Sequence, residues 1–157
     1  MSTEPVPFEV ETIVFDLEPE RRAVIYPVLD VVRDAMPAGY RLGVYGGMLG
    51  WAVPLELLAN TDDKQPLVYV SLAAQKHYNS LYLMGLCSFP EKDAAFRSQW
   101  DATGRTLNMG NSCVRFKTLA DLDLDLIVRE VASVSVDDFI ANYELLKSRG
   151  SAAFGGN

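Results

Sequence analysis

Residues 103–116, TGRTLNMGNSCVRF, set two arginines, two asparagines, a serine and a cysteine into a few positions of a chain otherwise rich in plain aliphatic runs. Consecutive backbone amides around Gly110 could form a nest for an anion. The side chains of Asn108, Asn111 and Ser112 would add polar groups, and Arg105 and Arg115 would add charge and forked donors. The plainer reading is a helix-to-strand turn. There Gly110 takes a positive φ, and the Asn and Ser side chains satisfy nearby backbone groups.

A second group surrounds one hairpin. Lys76, His77 and Tyr82 could orient a ligand on an open sheet face, with His77 as a proton donor. A hairpin tip is also polar for ordinary reasons of exposure. Cys113 sits near two arginines in sequence, and such neighbours lower a thiol pKa. His77 is the chain's only histidine, hence the only imidazole partner available to Cys113. A buried, inert thiol is the alternative. Cys87 has no charged residue within three positions, so an inert role fits it better still.

The early acids Glu4, Glu9, Glu11, Asp16, Glu18 and Glu20 are hard oxygen ligands of the kind that suit Fe²⁺. Acids at helix starts have a plainer use against the helix dipole. Asp121, Asp123 and Asp125 alternate, but no glycine and terminal glutamate complete a calcium loop. Two cysteines and one histidine make neither a disulfide framework nor a zinc set. A formal charge of −7 argues against nucleic acid as a principal partner. No phosphate-loop sequence, GxGxxG or GxSxG occurs, which weighs against the commonest nucleotide enzymes and hydrolases.

The elements that must position these residues follow from periodicity. Val10, Ile13, Val14 and Leu17 mark one helical face, and Ile25, Val28, Leu29, Val32 and Met36 mark another. Pro19 suits a first helical turn, and a kink is expected at Pro27. Strands are expected at residues 40–45, 48–53, 67–74, 78–84 and 112–116. Turns fall at Gly46-Gly47 and at 75–77, and a polar loop at 60–66. Ser88 to Glu91 reads as a capping box that opens a helix bearing Phe96 and Trp100, which Gly104 ends. Asp123 and Ser135 cap two further helices. Val134 and Phe139 are spaced for a hydrophobic staple, and Gly150 closes the last helix.

The organisation expected is an irregular lead-in at 1–7, one domain at 8–150 and a disordered tail at 151–157. Nearly half the residues are apolar, enough for a core at this length. The class is α+β, an antiparallel sheet of about five strands packed against N-terminal and C-terminal helices. No apolar run approaches the ~18 residues of a membrane span, and the acidic start lacks the order of a signal peptide. A cytoplasmic protein is expected.

Several of these segments together resemble the YdhG-like proteins, a domain of unknown function. The resemblance is carried by PERR (19–22), YGGM (45–48), LVYVSLAAQKH (67–77), LYLMG (81–85) and MGNSCVRFK (109–117), with the LxDL and LDLI pieces that follow. It spans residues 8–148, and Asn111 stands where the family usually has lysine. It implies a small α+β sheet domain with no assigned catalytic residues. One branch of the family is described as a frataxin-like iron chaperone, and iron at Glu9, Glu11, Asp16, Glu18 and Glu20 is what that likeness would imply. The first expectation is a domain that binds a small molecule or protein near Tyr45, His77, Tyr82 and Arg115. An iron chaperone is the second, and an enzyme using Cys113 or His77 the third.

Overall fold

A computed structural model of the chain describes residues 5–59, 61 and 64–153. Glu4, most of the 60–63 stretch and residues 154–157 of the expected tail lie outside the described residues.

The element order is α1 (Phe8–Phe15), α2 (Pro19–Ala35), β1 (Arg41–Tyr45), β2 (Met48–Val53), β3 (Leu67–Ala74), β4 (Asn79–Leu83), α3 (Met84–Ser88), α4 (Pro90–Ala102), β5 (Cys113–Phe116), α5 (Leu124–Ala132) and α6 (Val136–Ala153). The five strands form one antiparallel meander in the order β1-β2-β3-β4-β5. With helices before and after it, the domain is α+β, as the alternation of patterns implied.

The strands bury apolar residues, mostly leucine with valine and tryptophan, at alternate positions. Leu42, Leu49, Trp51, Leu72, Leu81 and Val114 are buried and join the core that Val10, Val14, Val28, Leu29 and Val32 reach from α1 and α2. Gly46 and Gly47 make the β1–β2 turn with φ of 59° and 81°, the left-handed pair that matches strand twist in a two-residue hairpin. The pairing of β2 with β3 shifts register between Trp51 and Ala52, and Tyr69 has no partner on β2. This bulge aims the Tyr69 ring away from the ladder. The ring stacks on Tyr40 with centroids 4.3 Å apart, and its hydroxyl donates to Val131 O at 2.8 Å. Burial holds both phenols in the protonated form, well above the usual tyrosine range.

Helix ends follow local chemistry in most places. Asp123 accepts from Leu126 N at 3.1 Å, and Ser135 Oγ accepts from Asp138 N at 3.1 Å. Gly104, with φ of 79°, follows the C-cap of α4. Three expectations are corrected. Ser88 does not cap α4: it is the last residue of α3, and Phe89 is the N-cap, with no side-chain bond and Pro90 at the first helical position. The segment from Met84 is that short helix rather than the end of a strand. Helix α6 passes through Gly150 to Ala153, because one glycine in a helix costs only about 1 kcal/mol. The expected tail therefore begins as helix at 151–153. Pro27 falls inside α2, Pro19–Ala35, where the periodic run placed it.

Candidate functional site

The strand register sorts the sheet into two faces. One faces α1, α2 and α5. The other carries a row of small residues, since Gly43 pairs with Gly50, Gly50 with Ser71, Ser71 with Tyr82, and Tyr82 with Cys113. Larger side chains rise around this floor. The result is a cleft of about 750 Å³ lined by Tyr45, Met48, Ser71, Tyr82, Met84 and Tyr143, among others.

Gly50 cannot be larger. A Cβ there would stand 2.7 Å from Val70 O and 3.0 Å from Ser71 Oγ. Tyr45 folds back over Gly43, with its hydroxyl donating to Arg41 O at 2.9 Å, and burial raises its pKa. Tyr82 is held at the other side, where its hydroxyl accepts from Gln75 Nε2 at 3.3 Å. Ser80 Oγ donates to Gln75 Oε1 at 2.5 Å, so Gln75 ties two residues of β4 together. Ser71 is 3 % exposed and lines the cleft. Tyr143 of α6 is half-buried, packs against the core and forms part of the cleft wall.

A second hollow, of about 380 Å³, lies where the β3–β4 hairpin meets β5 and the segment before it. His77, Tyr78, Asn108, Arg115, Lys117 and Asp121 line it. The Arg115 guanidinium lies 5.7 Å from the Tyr78 ring centre and donates to Asn108 Oδ1 at 3.1 Å. The Asp121 carboxylate accepts from the backbone N–H of Lys117 at 2.8 Å and of Thr118 at 2.9 Å. These amide bonds hold its pKa below the usual carboxylate range.

The structure thus joins Tyr45 and Tyr82 around one cleft, and His77, Asn108 and Arg115 around another. Lys76 and Asn111 are exposed and line neither. The turn at Gly110 is not an anion nest. Its N–H is already donated to Cys113 O at 2.9 Å, and its φ is not positive. Met109 bridges to Val114, so this stretch closes back on β5 as a narrow ribbon. Ser112 Oγ turns to Met84 Sδ at 3.7 Å. Arg115 does point at the turn, its Nη2 lying 3.0 Å from where a Gly110 Cβ would be. Arg105 does not: it donates to Ala120 O at 2.6 Å. Sequence proximity misassigned that cation, since Arg97 of α4 meets the turn instead, donating to Gly110 O at 2.7 Å.

His77 and Cys113 are not brought together by any described hydrogen bond, and only His77 lines the cationic hollow. Both cysteines are free thiols, Cys87 exposed and Cys113 half-buried. Glu9, Glu11, Asp16, Glu18 and Glu20 are spread over α1, α2 and the link between them. Among the described residues no three His, Cys, Asp or Glu side chains converge as a metal site. Arg22 caps this link, donating to Phe15 O and Leu17 O at 3.0 Å each.

One titratable group escaped the sequence reading. Glu130 on α5 is 8 % exposed, and burial pushes its pKa up to about 7. Lys92 of α4 lies 4.0 Å away. The only sequence signal was its position, three residues beyond Ile127 and four beyond Leu126, on the apolar side of the helix. No helix among the described residues is long and apolar enough to cross a membrane. No family model, curated protein or solved structure matches this chain.

Proposed function

We propose that this chain is a cytoplasmic ligand-binding domain of YdhG-like kind, and that a small molecule occupies the cleft between Tyr45 and Tyr82. One observation carries the reading. Between these rings the sheet face carries Ser71 among aliphatic, aromatic and methionine side chains, leaving about 750 Å³ of concave, mostly apolar space. Cavities of that size and lining are the usual form of small-molecule sites. Rigid rings and adaptable thioethers both favour binding of planar or aliphatic groups.

Catalysis has less support, because among the described residues the cleft brings no acid, base and nucleophile into mutual contact. The test is an amide chemical-shift titration with a panel of small aromatic and aliphatic fragments. Binders are expected to move the amides of Gly50, Ser71 and Tyr82, and Ser71→Leu, which fills the floor, is expected to remove the response. Fragments that shift only amides elsewhere, or none at all, would reject the cleft as the site.

A further inference from the structure

We infer that the ligand of the sheet-face cleft is an amphipathic oxyanion, an apolar body ending in a carboxylate or phosphate held by Arg115 and Lys117. This rests on the cleft reading above and adds the head group to it.

The register places the two hollows on one face. Arg115 pairs with Ser80 on β4, and Ser80 is two residues from Tyr82 on the same side of the strand. Arg115 of the cationic hollow and Tyr82 of the apolar cleft are therefore diagonal neighbours across β5 and β4. Diagonal neighbours on adjacent strands are about 7–8 Å apart. A head at Arg115 and a ring or short chain beginning beside Tyr82 thus fit within one small molecule.

Arg115 is prepared for such a head. Its guanidinium is pinned by the Tyr78 ring and by Asn108, yet that arrangement engages one of its five N–H donors. A fixed planar fork matches a carboxylate or phosphate in two-point contact. Lys117 and His77 line the same hollow. Asp121, the one acid in the lining, turns its charge onto two backbone amides.

The global charge decides what else the ligand must bring. At −7 overall, the chain repels anions at long range, and an exposed ion pair alone binds weakly. A bare anion is therefore disfavoured. An anion with an apolar body gains the burial that the cleft offers.

The test compares four probes by amide chemical shift at pH 7 and constant ionic strength: 4-phenylbutyrate, 4-phenylbutyl phosphate, 4-phenylbutanol and inorganic phosphate. Both anionic phenylbutyl compounds are expected to bind at least tenfold tighter than the alcohol, moving the amides of Ser71, Tyr82 and Arg115 together. The tighter of the two identifies the head group. Inorganic phosphate is expected to be the weakest. Arg115→Gln should bring both anions to the affinity of the alcohol and leave the alcohol unchanged, Arg115→Lys should restore part of the difference, and Arg105→Gln should change nothing. Equal affinity of acid and alcohol, or an undiminished acid affinity in Arg115→Gln, would overturn the head-group assignment and leave the cleft standing. Anions that move the Arg115 amide but not those of Ser71 and Tyr82 would overturn the joined site. Failure of every phenylbutyl compound to move a cleft amide would overturn the cleft reading as well.

Discussion

Glu130 on α5 rests its carboxylate against Gly85 of α3: a Cβ on Gly85 would stand 2.8 Å from Glu130 Oε2. The glycine makes room for a charge that the surroundings do not favour. Lys92, 4.0 Å from the other oxygen, is bound to Ser133 Oγ at 2.8 Å, so it compensates the carboxylate only in part.

The acid keeps its proton up to about pH 7 in the folded chain, against an ordinary 4.5. Folding therefore takes up a proton between those values, and stability falls as pH rises through that window. Glu130→Gln should be more stable than the parent at pH 8 by about 2 kcal/mol and near parity at pH 4. Urea denaturation at the two pH values measures this; a parent whose stability rises from pH 5 to 7 relative to the variant would contradict it.

The close approach of β2 to β3 gives a second expectation. Gly50→Ala should destabilise by about 1–3 kcal/mol, because its Cβ meets a backbone oxygen at 2.7 Å that cannot step aside. Gly46→Ala, with φ of 59° and nothing within 4 Å, should cost about 1 kcal/mol from conformation alone. Thermal or chemical melts rank the two, and the reverse order would be inconsistent with that close approach.

Trp100 is fully buried, with an indole N–H that has no partner among the described residues, and its ring is 5.5 Å from Phe96. Trp100→Ala should cost about 3–5 kcal/mol. Trp100→Phe should cost clearly less than a cavity of that size suggests, because it also deletes an unsatisfied donor. Equal losses for the two would mean that the N–H finds a partner in solution.

Arg21 fastens the hairpin that carries His77. From the first turn of α2 its Nη1 donates to Gln75 O at 2.6 Å and Asn79 Oδ1 at 3.0 Å. Arg21→Ala should cost about 1–3 kcal/mol, and hydrogen exchange should quicken at Ala74 to Ser80 before it does in β2. Unchanged exchange there would show that the strands alone hold the hairpin.

Much of this architecture is written along the chain. Val28, Leu29 and Val32 recur at helical spacing, residues 67–74 form a strand of the expected bounds, Gly46-Gly47 demands a tight turn, and Asp123 and Ser135 precede the helices they cap. Each of these depends on neighbours a few residues away, and so periodicity and turn chemistry are enough to determine the α+β meander. The placement of Tyr45, Tyr82 and Arg115 on one sheet face also follows from alternation once the strands are drawn.

Tertiary structure alone decided the rest. Ser88 is drawn into α3, where it cannot adopt the extended conformation of an N-cap. Gly110 lost its expected nest because Cys113 O takes its amide, and Arg97 of α4, not Arg105, reaches that turn. Tyr69 leaves the ladder at a bulge that no alternation pattern announces. Glu130 has an ordinary helical position in sequence, and its raised pKa exists only because α3 and α4 close over it. For Arg97, Tyr69 and Glu130 the controlling partner is distant in the chain or on another element, and side-chain type carries no record of that partner's approach.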